Sequence, residues 1–178
     1  MNPNITIRKP EEHEWQQFRE LRLDALKHEP QSFGSSYAQE VTKNSDFWIT
    51  LVKNSHVKDS SVCAIVAVLN NEFVGMIGCY LPELGNWNIW GMYVKQEFRG
   101  MGLARCLMEF AIRLIRQRNP ESVIQLYVNV EQTPAVSLYT AMGFEISELL
   151  PNQLMGDGKQ YDEYIMQLQP IKTNNTNQ

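Results

Sequence analysis

The sequence predicts an α+β fold, in which a mixed, mostly antiparallel sheet of about seven strands is flanked by helices. Two observations support this fold class. Three apolar, β-branched segments follow one another between residues 61 and 94 with short turns between them, as in an antiparallel meander. The third segment leads into a helix and then into another strand, and such a crossover makes the two strands it joins parallel. We therefore expect one parallel strand pair in an otherwise antiparallel sheet.

The segment before the meander is predicted to form one strand and three helices. The strand alternates apolar and polar residues, whereas the helices carry apolar residues at intervals of three and four. The strand is expected at 4–8 and the helices at 11–27, 37–43 and 46–53. Ser45 is the expected N-cap of the third helix. The expected inner face of that helix consists of Phe47, Ile49, Leu51 and Val52.

Turn signals separate the later elements. Asn70 and Asn71 tolerate positive φ and predict a tight turn, while Gly75 and Gly78 predict bulges or close approach in the strand that follows. Gly143 is expected to end the last helix. Strands are expected at 61–69, 72–81, 86–94, 123–130, 145–150 and 161–169, and helices at 103–118 and 134–142.

Length and composition favour one globular domain. The chain has 178 residues, of which 43% are hydrophobic and 20% charged. We expect a single domain over 1–170 and a frayed tail over 171–178. No apolar run approaches the ~20 residues of a membrane helix, and the N-terminus lacks the layout of a secretory signal, so we expect a cytoplasmic protein without a membrane partner. The net charge of −4 argues against a nucleic-acid partner.

The cysteines and histidines do not predict a metal site. Cys63, Cys79 and Cys106 lie far apart, each in an apolar stretch, and the histidines lack the spacing of metal ligands. We expect buried thiols and no metal.

The clearest functional signal is the turn between the third meander strand and the central helix. Its residues are Arg99, Gly100, Met101, Gly102, Leu103 and Ala104. Glycines let the backbone approach a ligand, and the unpaired N–H groups of a helix start attract phosphate. A Walker loop is excluded because Leu103 and Ala104 stand where Lys and Ser or Thr are needed. Arg105 excludes the dinucleotide fingerprint, which needs Gly or Ala there.

The pattern R-x-x-G-x-A in this turn resembles the pyrophosphate-binding signature of the GNAT superfamily of N-acetyltransferases. Downstream, the segment 126–144 resembles the superfamily's later motif, a strand followed by N-x-x-A-x-x-L/F-Y and by a short helix that ends in Gly-Phe. The matching residues are Ala135, Leu138, Tyr139, Gly143 and Phe144. Gln132 stands in place of the Asn, which keeps the amide but adds a methylene.

The resemblance implies that acetyl coenzyme A is the acyl donor and that its pantetheine arm lies between the splayed strands of the parallel pair. The implied cofactor contacts are the backbone of Met92, Tyr93 and Val94, the N–H groups of 99–104, and the amide of Gln132. The Val94 N–H is the expected donor to the thioester oxygen, and Tyr139 is the expected acid for the leaving thiolate. The alternative for Tyr139 is a core aromatic whose hydroxyl reaches water.

The acceptor amine must lose a proton before it can attack, because an alkyl ammonium has a pKa near 10.4. The resemblance places the acceptor pocket under the segment that joins the first two helices. The candidate lining residues are Phe33, Tyr37, Glu40 and Trp90. Alternatively, Phe33 and Tyr37 only attach this segment to the core. The candidate bases are Glu131, Glu83, Glu40 and an ordered water, and the sequence does not choose among them.

We therefore expect an N-acetyltransferase that moves an acetyl group from acetyl coenzyme A to a primary amine of a small molecule by direct attack. The acidic net charge mildly favours cationic small amines. Two alternatives stay open: acetylation of a protein N-terminus or lysine, and a non-catalytic module that binds a coenzyme A thioester. A homodimer is also left open.

Overall fold

The computed structural model describes residues 5–170, and they form one seven-stranded sheet in the order β1-β2-β3-β4-β5-β7-β6. The strands are β1 (Ile5–Arg8), β2 (Val62–Leu69), β3 (Glu72–Tyr80), β4 (Trp87–Val94), β5 (Ile124–Asn129), β6 (Glu145–Leu154) and β7 (Gln160–Leu168). The helices are α1 (Trp15–His28), α2 (Tyr37–Glu40), α3 (Ser45–His56), α4 (Leu103–Arg118) and α5 (Thr133–Ala141). Only β4 and β5 pair in parallel among these strands, so the predicted fold class is confirmed.

Helices cover both faces of the sheet. Leu103 and Leu107 of α4 and Tyr139 of α5 belong to the apolar cluster on one face. Phe18 of α1 and Trp48 of α3 belong to the cluster on the other. The sheet is therefore a middle layer between two helical layers. None of the helices within residues 5–170 is long and apolar enough to cross a bilayer.

Two predictions for α3, its N-cap and its inner face, differ from the structure. The N-cap is Asn44, whose Oδ1 accepts a hydrogen bond from the Phe47 N–H at 3.1 Å, and Ser45 is the first helical residue. The buried side chains are those of Trp48, Val52 and Ser55, whereas Phe47 is 41% exposed. The inner face is thus rotated from the predicted one, because the large indole of Trp48 packs into the core.

Other boundaries differ from the predictions by a few residues. A 3₁₀ turn at Glu12–Glu14 precedes α1, which begins at Trp15 rather than at residue 11. β6 continues to Leu154, four residues beyond the predicted end, because two register shifts let it follow β7 past Pro151. The predicted tail at 171–178 lies outside the described residues.

A bulge in β4 shapes the centre of the sheet. One residue of β3, Ile77, faces two residues of β4, Gly91 and Met92. Gly91 has a φ of +68°, a conformation that side chains with a Cβ disfavour. The predicted close approach at Gly78 is confirmed, because a Cβ there would overlap the indole of Trp90.

Beyond the bulge, the two parallel strands separate. β4 and β5 pair only from Trp87 opposite Ile124 to Ile89 opposite Leu126. β4 then stays paired with β3, and β5 stays paired with β7. The predicted splayed pair is confirmed, and the space between its strands is open to a ligand.

Candidate active site

The space between the separated strands is a cleft of about 370 Å³. It is lined by the last residues of β4, by β5, by the start of α5 and by the segment that follows α1. The predicted site residues in its lining are Phe33, Trp90, Met92, Tyr93, Val94, Arg99, Ala104, Gln132 and Tyr139. Residues from both predicted motifs and from the predicted acceptor segment therefore meet in one cavity.

The backbone of β4 offers polar groups to this cleft. The Lys95 N–H donates to the carbonyl of Val74 on β3 at 3.0 Å. Neighbouring N–H groups in an extended strand point in opposite directions, so the N–H of Val94 points away from β3 and towards the cleft. The carbonyl of Val94 points the same way, and it accepts a hydrogen bond from Nε of Arg99 at 3.0 Å.

The start of α4 lies at one end of the cleft. Gly102 is its N-cap with a φ of +79°, Gly100 has a φ of +76°, and no side chain caps the helix. A Cβ on either glycine would meet no atom within 4 Å, so the dihedral angle is what requires glycine. Ala104 lines the cleft, whereas Leu103 is buried and Met101 is partly exposed. Of the six predicted turn residues, Arg99 and Ala104 line the cleft, whereas Gly100, Met101, Gly102 and Leu103 do not.

The end of α5 fixes the position of Tyr139. Gly143 has a φ of +90°, its N–H donates to Thr140 at 3.0 Å, and the Phe144 N–H donates to Tyr139 at 3.0 Å. This pair of bonds is a Schellman motif, and Gly143 ends the helix as predicted. The rings of Tyr139 and Phe144 lie 6.2 Å apart, which is the apolar contact that accompanies the motif. The residues of the Leu-Tyr and Gly-Phe pairs therefore form the end of α5 together. This helix end holds Tyr139 in the lining of the cleft.

The sequence model of the acetyltransferase (GNAT) family matches residues 11–144, which include the glycine-rich turn, β5 and α5. The chain belongs to this acetyltransferase family. The predicted family is confirmed, and acetyl coenzyme A-dependent N-acetyltransferases are the enzyme class to which the chain belongs.

Two curated relatives and one solved structure agree with this assignment. A putative ribosomal protein bS18-alanine N-acetyltransferase of Bacillus subtilis is 25% identical over 148 residues, 83% of this chain and 91% of that protein. An uncharacterized N-acetyltransferase of Methanocaldococcus jannaschii is 28% identical over 95 residues, 50% of this chain but only 42% of that protein. A putative acetyltransferase of Salmonella typhimurium, solved with its cofactor acetyl-CoA, superposes with a TM-score of 0.79 at 18% identity, over 98% of each chain. This last likeness shows the shared fold.

Gln132 of the acetyltransferase lines the cleft and is the N-cap of α5. Its amide nitrogen donates to the hydroxyl of Ser32, on the segment that follows α1. The amide of Gln132 therefore joins α5 to the segment that follows α1, where Ser32 also lines the cavity.

The predicted acceptor residues divide into two groups. Phe33 and Trp90 line the cleft, whereas Tyr37 and Glu40 do not. Tyr37 is 42% exposed on the outside of α2. Glu40 is buried and is held in an ion pair with Arg22. Burial alone would raise the pKa of Glu40, but the hydrogen bond and charge of Arg22 outweigh it and lower the pKa. A carboxylate with a lowered pKa and a buried partner is a poor base. The prediction of Glu40 as a candidate base is therefore corrected.

Glu131 and Glu83, the other candidate bases, do not line the cleft either. Among the described residues that line it, the only carboxylate is Glu29, which accepts a hydrogen bond from Arg99 at 2.8 Å. Sequence reasoning missed Glu29, although it lies in the segment that the resemblance placed over the acceptor. It also missed Tyr127, an exposed residue of β5 that lies between two buried ones and is part of the cleft lining.

Across residues 5–170, no group of three His, Cys, Asp or Glu side chains could hold a metal ion. Cys63 and Cys79 are buried opposite each other on β2 and β3, whereas Cys106 is partly exposed.

The environment of Tyr139 predicts a dependence of stability on alkaline pH. Burial raises the pKa of Tyr139 to about 12, above the value of about 10 in an unfolded chain. The folded state thus favours the neutral hydroxyl. This contribution is complete below pH 10 and is lost as the pH rises through 12, and its full size is about 2 to 3 kcal/mol. We expect the unfolding free energy of the wild type to fall more steeply between pH 10 and 12 than that of Tyr139→Phe.

Urea unfolding at several pH values measures this difference. The exposed Tyr37→Phe is the matched control and should keep the wild-type slope. If the unfolding free energies of the wild type and Tyr139→Phe fell equally steeply between pH 10 and 12, the raised pKa of Tyr139 would be contradicted.

Proposed function

We propose that the chain transfers the acetyl group of acetyl coenzyme A to a primary amine by direct attack. The observation that carries this proposal is the cleft between β4 and β5, which has the uncapped start of α4 at one end and Tyr139 in its wall. A donor fits such a cavity if its diphosphate lies at the start of α4, its extended amide-containing arm along β4 and its reactive thioester near Tyr139.

Each part of the donor has a chemical partner in this arrangement. The N–H groups from Arg99 to Ala104 bind the diphosphate, because a helix start carries unpaired donors and partial positive charge. The pantetheine arm pairs with the backbone of Met92, Tyr93 and Val94 as an added strand would. Gln132 contributes an amide contact from the opposite wall.

The transfer itself uses two groups of the cleft. The Val94 N–H stabilises the charge that develops on the thioester oxygen, an effect worth about 3 kcal/mol. Tyr139 protonates the leaving thiolate, and the proton that the attacking nitrogen loses returns to Tyr139 through ordered water. The proton that the acceptor's ammonium loses before the attack leaves through ordered water or through Glu29, the carboxylate in the lining.

Two acceptor classes fit the proposal. The net charge of −4 favours a cationic small amine. The α-amine of a protein N-terminus is the second candidate, because the Bacillus subtilis relative, similar over 83% of this chain, carries the name of a ribosomal protein alanine N-acetyltransferase.

An acceptor panel tests both the function and the acceptor class. The protein is mixed with acetyl coenzyme A and with polyamines, aminoglycosides, free amino acids or short peptides that begin with Ala, Ser or Met. Released coenzyme A is measured with a colorimetric thiol reagent. The acetylated product is identified by mass spectrometry. Thiol release with any amine supports the enzyme, and the productive compounds define the acceptor. Cofactor binding without thiol release from any acceptor would instead indicate a non-catalytic binding module.

The placement of the diphosphate predicts that Gly102→Val abolishes cofactor binding. Valine disfavours a φ of +79°, and its side chain occupies the space that the diphosphate needs. Titration calorimetry with coenzyme A measures the affinity. Gly158→Val is the matched control, because Gly158 also has a φ of +79° with no atom within 4 Å of a Cβ but lies in the turn between β6 and β7, away from the start of α4. Equal affinity in both variants would refute the placement.

The role of Tyr139 predicts that Tyr139→Phe lowers kcat about 10²-fold or more and leaves the affinity for coenzyme A within about twofold. The phenyl ring keeps the contact with Phe144, so the helix ending should persist. Steady-state kinetics and calorimetry measure the two quantities. An unchanged kcat would remove Tyr139 from the reaction.

A further inference from the structure

We propose that Arg22 is a positioning residue for the acceptor: it holds Phe33 and Trp90 in place as two walls of the cleft. The proposal rests on the proposed function and adds to it a buried group outside the cofactor motifs. Arg22 lies on α1, is 5% exposed and does not line the cleft itself. It therefore acts through its neighbours and not on the reacting atoms.

The plane of the Arg22 guanidinium is fixed by a fork of hydrogen bonds. Nε donates to one oxygen of Glu40 at 3.1 Å, and Nη2 donates to the other at 2.9 Å. Nη2 also donates to the hydroxyl of Ser35 at 2.8 Å, and that hydroxyl donates to Glu40 at 2.7 Å. A bidentate pair of this kind sets an orientation as well as a distance. The closed set of bonds joins α1, α2 and the segment between them.

The fixed guanidinium contacts two aromatic rings of the cleft. Its Cζ lies 4.7 Å from the ring centre of Phe33 and 5.6 Å from that of Trp90. Both rings line the cavity. Cation–π contacts over both rings make their positions depend on the orientation of one arginine.

The third nitrogen of the guanidinium reaches the bulge of β4. Nη1 is buried and has no hydrogen-bond partner among the described residues. It lies 3.7 Å from the position that a Cβ on Gly91 would occupy. Arg22 thus packs against the irregular backbone at which β4 and β5 separate. One side chain connects the segment after α1 to the strand that lines the cleft.

Stability alone does not explain this arrangement. Replacing a buried ion pair by apolar residues of similar volume is often neutral or stabilising, and an unpartnered buried N–H adds a further cost. An apolar residue, however, would not supply a flat cation that holds two rings at set positions. Because Glu40 neutralises Arg22, this wall does not repel an acceptor's ammonium. These properties suit a wall that orients an amine.

The same network extends to the turn between β6 and β7. The Gly156 N–H donates to the carbonyl of Phe33 at 2.7 Å. A Cβ on Gly156 would collide with the carbonyl of Ser35, so the two segments approach closely. A displacement of Phe33 would therefore loosen this turn as well.

The test is Arg22→Lys. Lysine keeps the charge, but it cannot form the fork to Glu40 and Ser35 or lie flat against two rings. We expect the KM for the acceptor to rise about tenfold or more, with kcat and the affinity for coenzyme A changed by less than about threefold. A merely structural role would lower stability and leave the acceptor KM unchanged.

The matched control is Arg8→Lys. Arg8 makes a similar fork to Glu14 at 2.6 and 2.7 Å, and its Cζ lies 5.8 Å from the ring centre of Phe73. None of these three residues lines the cleft. Arg8→Lys should keep the wild-type acceptor KM. An unchanged KM in Arg22→Lys, or an equal rise in both variants, would overturn the proposal.

Hydrogen exchange provides a readout that does not require turnover. In Arg22→Lys the amides of 29–36 should exchange faster while those of α4 do not change, and Arg8→Lys should leave both as in the wild type. This readout stays valid if no amine is acetylated, so failure of the proposed function and failure of this inference are distinguishable. Unchanged exchange at 29–36 would overturn the inference.

If Arg22→Lys does not fold, Ser35→Ala takes its place. This variant removes the hydroxyl bonds and keeps the ion pair, and we expect a smaller rise in acceptor KM, about threefold. An acceptor KM equal to that of the wild type would count against the proposal.

Discussion

The site depends on one constraint, the loss of pairing between β4 and β5 after Ile89 and Leu126. A parallel pair in the middle of a sheet is normally closed along its whole length, because unpaired N–H and C=O groups inside a protein are costly. Here the bulge at Gly91 and Met92 turns β4 towards β3, while β5 follows β7. The cleft exists because the sheet leaves one row of backbone donors and acceptors without a neighbouring strand.

The helices around the cleft add functional groups to the unpaired backbone of β4 and β5. The crossover through α4 brings a helix start to one end of the cavity, and a Schellman motif at the end of α5 points Tyr139 into it. The two sequence patterns that carry the family resemblance are therefore two helix termini, one at the start of α4 and one at the end of α5. Their backbone geometry requires Gly102 and Gly143, both of which have positive φ.

The sequence predicted the fold and several of the residues that line the cleft, because both depend on local signals. Glycines at positive φ, alternating strands and a helix stripe are local, and the predicted residues Val94, Arg99 and Tyr139 do line one cavity. The acceptor side depends on contacts between residues far apart in the chain. Neither the pairing of Arg22 with Glu40 nor that of Arg99 with Glu29 is implied by spacing. The sequence therefore predicts Glu40 in the pocket, whereas in the structure its carboxylate is paired with Arg22 and does not line the cleft.

If the diphosphate binds as proposed, the ion pair between Arg99 and Glu29 would affect how the ligand enters and leaves. Both side chains line the cleft, and a diphosphate that recruited Arg99 would first have to displace the carboxylate. Partly exposed pairs of this kind are worth about 0 to 1 kcal/mol, so the competition weakens ligand retention by no more than about fivefold. The carboxylate of Glu29 would pair with the guanidinium again as coenzyme A departs. A competitor of this strength would limit product inhibition, and raising the ionic strength would weaken the ion pair and the binding of the diphosphate together.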